Sequence, residues 1–169
     1  MKQEFIDQFN TLKKVPNERQ LLQQRGRDFE ELINNVFQEE GILITRGFHT
    51  SDNKSEQIDG AIEIDSRIFL IESKWVDSNL AASELFSFIG KIENKFFGTL
   101  GIFISKAKLS DNFINALNKG RRQTVLVIHG EDVDLLFDPE NNLEIGKYIS
   151  HTLSYALTII LSIFQLKHI

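Results

Sequence analysis

Residues 67–75 read RIFLIESKW, an apolar run that closes on Glu72, Ser73 and Lys74 before Trp75. A run of Ile, Phe and Leu belongs in the interior of a sheet. Its end nevertheless carries a carboxylate and an ammonium two positions apart. On a strand these project to one face, with Ser73 on the other. Immediately upstream, residues 58–64 read IDGAIEI. This is a second strand, with Ile58, Ile62 and Ile64 expected on one side and Asp59 and Glu63 on the other. Only Asp65-Ser66 separates the two runs, which predicts a tight hairpin turn. An antiparallel pair turning there sets position 59 opposite position 72, give or take a residue, within side-chain reach.

Working outward, Phe5, Phe9 and Leu12 mark a short amphipathic helix. VPNERQ interrupts it. Asn17, with Gln20 three residues on, has the form of a capping box and opens a helix to Glu40. That helix is expected to bury Leu22, Phe29, Leu32, Ile33, Val36 and Phe37, to be perturbed at Gly26 and to stop at Gly41. GILITRGF reads as a strand and DNKSEQ as a loop. Beyond the hairpin, Leu80 to about Phe97 reads as a helix. GTLGIFIS and QTVLVIHG read as buried strands, with a helix between them that is capped by Asp111 and stopped by Gly120. EDVDLLF is a helical turn or two, DPENN a loop, and a last helix runs from about Leu143 to Leu166. Three strands in succession, then strands alternating with helices, predict an α/β fold with a mixed central sheet and helices on both faces. The chain of 169 residues reads as one domain: N-terminal helices over 1–40, a core over 41–137 and a C-terminal helical extension over 138–169.

Composition narrows the class. Apolar residues make up 41% and charged residues 25%, so the chain can build a core. It has no cysteine, which removes disulfides, thiolate zinc sites and thiol nucleophiles and fits a cytoplasmic compartment. MKQEFIDQFN lacks the apolar stretch of a signal peptide. LSYALTIILSIFQL, residues 153–166, is short of a membrane span and is broken by polar residues, so no membrane role is expected. The net charge of −5 argues against strong nonspecific nucleic-acid binding by the whole molecule. Phe88 to Arg122 nonetheless carries seven basic residues against two acidic ones. Around Gly90-Lys91 the flanking residues of a phosphate loop are missing. The four histidines are scattered without metal-ligand spacing.

Two carboxylates forced together in a partly buried site favour a proton or a cation between them. Oxygen ligands suit a hard ion such as Mg²⁺, and a neighbouring lysine can hold a phosphate oxygen or a water. This is a workable set for metal-assisted phosphodiester hydrolysis. A bare Glu-x-Lys is common, however, and Glu93-Asn-Lys95 repeats it in a helical stretch. Glu72 and Lys74 alone read equally as a surface ion pair at a strand end.

Asp59 followed by Glu72-Ser73-Lys74 across a hairpin resembles the signature of the PD-(D/E)XK nuclease superfamily. RGRDFEELI, residues 25–33, resembles the Gly-x-x-Phe-Glu-x-Leu stretch of its Mrr-like restriction endonuclease branch, and GTLGIFISKAKLSDNFINAL resembles the next strand and helix. The likeness runs from about Arg25 to Val127. Ile58 stands where the superfamily has its proline, and Glu72 where the Mrr branch often has Gln. The resemblance implies a restriction-endonuclease-like core. Asp59 and Glu72 would hold Mg²⁺ (Mn²⁺ able to substitute) with the Ser73 backbone carbonyl. Lys74 would orient or activate the attacking water. Glu30 would be a further ligand, directly or through water; otherwise it is a solvated helix residue. Gln57 shares the strand face of Asp59 and could reach the site. Lys91 and Lys95, one helical turn apart, with Ser105 and Lys106 at a strand end, could grip a nucleic-acid backbone or simply keep the surface soluble.

The expected activity is metal-dependent endonucleolytic cleavage of DNA, in restriction or defence against foreign DNA. The acidic balance and small size point to a homo-oligomer or a targeting subunit, with the apolar C-terminal helix as contact surface. A junction-resolving, repair or RNA-directed nuclease of the same fold stays open. So does a catalytically silent nucleic-acid-binding or assembly module.

Overall fold

The computed structural model describes residues 1–49, 57–118, 124–141 and 143–166, with side chains of the last helix described through Tyr155. The elements follow the expected order: α1 (Gln3–Leu12), α2 (Arg19–Glu39), β1 (Leu43–His49), β2 (Gln57–Ile64), β3 (Arg67–Lys74), α3 (Ala82–Glu93), β4 (Leu100–Ser105), α4 (Asp111–Asn118), β5 (Val125–His129), α5 (Glu131–Leu136) and α6 (Ile145–Leu166). They form a five-stranded mixed sheet in the order β1-β2-β3-β4-β5. The first three strands are antiparallel, and β3-β4-β5 are parallel. Most of the DNKSEQ loop, the Gly120 stop, and Lys119, Arg121 and Arg122 of the basic stretch lie outside the described residues. Among the described residues no helix is long and apolar enough to cross a membrane.

Alternation along the central strands divides the core in two. Phe69 and Ile71 of β3, with Ile102 and Ile104 of β4, join Phe9, Phe29, Phe37, Val133 and Ile149 in a layer built with α1, α2, α5 and α6. Leu70 and Phe103 join Leu85, Phe88 and Phe113 in a layer built with α3 and α4. Both faces of β3 and β4 are therefore covered, which is why their sequences are almost continuously apolar. α2 is tied to α6 by Glu40, whose carboxylate accepts the N–H groups of Ile145 and Gly146, each at 2.8 Å. That caps the start of α6 from across the chain.

Several expected details differ. The N-cap of α2 is Glu18, with no side-chain cap. Its N–H bonds to the Pro16 carbonyl at 2.8 Å, which holds Asn17 in a tight turn ahead of the helix. Leu22 is only half-buried and lines a cleft, and α2 runs unbroken through Gly26. α3 starts later than expected because the Leu80 backbone is engaged with Lys108 and Ser110. It also ends sooner, leaving Phe96 and Phe97 outside the helix and more than nine-tenths exposed. The Ser110 hydroxyl accepts the Phe113 N–H at 3.2 Å, so Ser110 supplies the cap expected of Asp111. β5 is half-buried, since it is the edge of the sheet. Ile58 packs in the α3 layer with Ala61, while Ile62 and Ile64 pack in the other. Residues 58 and 61 are three apart yet share a layer, so alternation slips at Asp59-Gly60.

Phe103 is fully buried, edge-on to Phe88 at 5.8 Å and to Phe113 at 5.9 Å between ring centroids. Phe103→Ala is expected to lower the stability of the chain by about 3–5 kcal/mol in urea unfolding followed by circular dichroism. A loss under about 1 kcal/mol would mean that the α3–α4 layer is not part of the cooperative core.

Candidate active site

The β2–β3 hairpin turns at Asp65 and Ser66, whose φ angles are 51° and 59°, as a two-residue turn with both central residues left-handed requires. The ladder then pairs Ile64 with Arg67 and continues in register to Gly60 and Ile71. The next residues along the two strands are Asp59 and Glu72. Asp59 Oδ2 accepts the Ser73 N–H at 2.8 Å, which latches the side chain of one strand to the backbone of the other.

α2 lies close over this point. Asn34 Nδ2 donates to the Asp59 carbonyl at 2.9 Å and to the Glu30 carbonyl one turn back at 3.0 Å. The approach depends on two glycines. A Cβ on Gly60 would sit 2.6 Å from Asn34 Oδ1, and one on Gly47 would sit 3.0 Å from Glu30 Oε1. On the other side, α3 presents Glu84 and Lys91, two turns apart on one helix face. Lys91 Nζ is 2.6 Å from Glu72 Oε2. Lys74 Nζ is paired with Glu84 and lies 3.8 Å from Glu72 Oε1.

These groups face one cleft of about 920 Å³ whose walls include Glu30, Gln57, Asp59, Glu72, Ser73, Lys74 and Lys91. Lys95, Ser105 and Lys106 are not among its walls. Ser105 is fully buried; its hydroxyl donates to the Lys74 carbonyl at 3.0 Å and accepts the Ala107 N–H. It fastens the end of β3 from the neighbouring strand β4. Lys106 pairs with Asp134 at 2.8 Å, in a separate depression that also holds Lys13. The sequence reading missed Glu84, Asn34 and Arg25. Arg25 is buried, donates to Asp77 at 2.8 Å and stacks over Trp75. The seven-residue spacing of Glu84 and Lys91 and the four-residue spacing of Glu30 and Asn34 were visible signals. The faces they mark acquire meaning only once the helices dock.

Burial, then the charge of Glu72, pushes the Asp59 carboxyl up to about 7, against the pull of the Ser73 N–H. The same two causes raise Glu30 above its ordinary value. Three carboxylates thus share one wall of the cleft, and with the Ser73 carbonyl they form an all-oxygen donor set that fits a hard divalent cation. Among the described residues no three acidic or histidine side chains already stand together as ion ligands. Glu72 is closed by Lys91 and Asp59 by the Ser73 N–H.

The raised Asp59 group has a consequence for stability. Between about pH 4 and pH 7 the unfolded chain gives up this proton while the folded chain keeps it, so stability falls as pH rises through that window. In EDTA, Asp59→Asn is expected to be roughly 2–4 kcal/mol more stable than the unsubstituted chain at pH 8, the difference closing towards pH 4. Urea titrations at the two pH values test this. Equal stability at pH 8 would remove burial and repulsion as the cause.

The MspJI restriction endonuclease, solved in complex with a 27-mer oligonucleotide, is similar in structure with a TM-score of 0.47 at 15% identity, covering 85% of this chain and 34% of that one. The DNA modification-dependent restriction endonuclease AspBHI gives a TM-score of 0.48 at 14% identity, covering 92% of this chain and 39% of that one. The chain therefore spans between a third and two fifths of the length of either. No curated protein matches it. The Mrr_cat family model, described as restriction endonuclease, matches residues 21–136, from α2 through α5, and extends the expected likeness at both ends. By that match the chain belongs to the Mrr_cat restriction endonuclease family.

Proposed function

We propose that this chain is a divalent-metal-dependent endonuclease that hydrolyses DNA phosphodiester bonds in the restriction of foreign DNA. The observation that carries the reading is the placing of Asp59 and Glu72 at the end of one β-ladder, in a cleft that also holds the Lys74 ammonium. The family match supports it. In this reading residues 41–137 form the catalytic core of a single domain, with the N-terminal helices and the C-terminal extension packed around it.

Asp59, Glu72 and the Ser73 carbonyl would hold Mg²⁺ or Mn²⁺, with Glu30 completing the set directly or through a water. When bound, the ion supplies charge neutralisation and a more acidic water. Ser73 would serve twice, its N–H orienting Asp59 and its carbonyl facing the ion. Asn34 fixes the Asp59 main chain from α2. Glu84 holds the Lys74 ammonium beside Glu72, where it can orient the attacking water by donating a hydrogen bond to its oxygen. Hydrolysis joins the water oxygen to phosphorus and breaks one P–O ester bond, the water's protons being shared between solvent and the leaving oxygen. Gln57 at the cleft wall contacts the substrate strand. A chain with net charge −5 needs a second copy or a targeting subunit to collect DNA efficiently.

Cleavage of supercoiled plasmid with Mg²⁺ or Mn²⁺ tests the reading. Activity is expected to vanish in EDTA and to fall by at least about 100-fold in Glu72→Ala and in Lys74→Ala. Undiminished cleavage by both variants would sink it. DNA binding that persists in EDTA with no cleavage under either metal would favour a silent binding module instead.

A further inference from the structure

Lys91 stands against Glu72 at the wall of the cleft. Its ammonium lies 2.6 Å from Glu72 Oε2, and the two side chains are only 18% and 11% exposed. The other ammonium in the cleft, Lys74, is drawn to Glu84 and stands 3.8 Å from Glu72. Glu72 is therefore neutralised chiefly from α3. Asp59 has the Ser73 N–H as its hydrogen-bond donor, with no ammonium hydrogen-bonded to it among the described residues. A Mg²⁺ or Mn²⁺ ion needs a carboxylate oxygen at roughly 2.1 Å, and on Glu72 Oε2 that position competes with the ammonium.

We propose that Lys91 is the resident counter-ion of Glu72, and that a divalent cation binds this site by displacing it. The inference rests on the metal-dependent reading above. In the metal-free chain the pair keeps a nearly buried carboxylate compensated, and loss of the Lys91 ammonium leaves that carboxylate only the more distant Lys74, at 3.8 Å, at a cost to stability. In the loaded chain the ammonium is released from Glu72 but stays tethered to α3 inside the cleft. Lys91 is thus an occupant that metal must exchange with, and it sets the cation concentration at which the site fills.

The test is calorimetric titration of the full chain with Mn²⁺ in the absence of DNA, so that no turnover is needed. Lys91→Met is expected to bind Mn²⁺ about tenfold more tightly than the unsubstituted chain. Lys108→Met removes the same formal charge outside the cleft and is expected to stay within about twofold. The melting temperature of Lys91→Met should fall in EDTA and recover with Mn²⁺. Should that variant not fold without metal, Lys91→Gln, which keeps a donor for Glu72, takes its place. Equal or weaker Mn²⁺ binding by the Lys91 variant, with binding abolished by Asp59→Asn, overturns the proposal and leaves the metal site standing. Tenfold tightening by Lys108→Met as well overturns it in favour of a general charge effect. No Mn²⁺ binding by the unsubstituted chain overturns the metal reading itself, and this inference with it.

Discussion

Two carboxylates at the end of a hairpin ladder, in an interior that burial has largely stripped of water, repel each other. Much of the surrounding structure answers that repulsion. The hairpin cannot avoid it: once the turn is made at Asp65-Ser66, the register carries Asp59 and Glu72 to the same level of the sheet. One carboxyl retains a proton near neutral pH and accepts a backbone N–H. The other takes an ammonium from a helix on the far side of the sheet. A like-charge pair of this sort would be selected against in a purely structural strand, where an apolar residue costs nothing.

The two halves of the sheet divide the work. The antiparallel half, β1 to β3, brings the acidic groups together and leaves glycines at 47 and 60, where α2 must come close. The parallel half, β3 to β5, sets the height of the Lys74 end of β3 through the register with β4, and the buried Ser105 hydroxyl pins its carbonyl. α2 and α3 then close on the site from opposite layers. α2 brings a third carboxylate and the Asn34 amide; α3 brings one carboxylate and one ammonium. Because Glu84 and Lys91 sit on a single helix face, one docking geometry fixes the partners of both Lys74 and Glu72.

Much of this was legible beforehand. Apolar runs bounded by turn residues gave every element in order, because a strand covered on both faces has little choice of composition. The meeting of Asp59 with the Glu72 end of β3 was legible because a two-residue turn leaves little freedom in register, and Lys74 followed from strand periodicity. Other details were not. The alternation slip that sends Ile58 into the α3 layer is a local backbone irregularity, and Ile-Asp-Gly-Ala carries no fixed signal for it beyond the glycine. Asn17 resembles a cap in sequence but is held in a turn by a Pro16 hydrogen bond. Ser105 and Lys106 looked like surface groups at a strand end. One is sealed beside the end of β3, and the other is spent on Asp134.

By itself, the sequence determined which strands exist, which two are joined by a tight turn, and hence which acidic residues meet across that turn. These are local consequences of side-chain period and backbone sterics. Only the tertiary structure decided that Lys91 faces Glu72, that Lys74 faces Glu84, and that Asn34 reaches Asp59. Those contacts join residues 10 to 25 positions apart in the chain. They depend on the angle at which each helix packs across the sheet, and that angle is set by the combined shape of Leu85, Phe88, Phe103 and Phe113 on one face and Phe29, Ile33, Phe69 and Ile71 on the other. No single stretch of the chain encodes it.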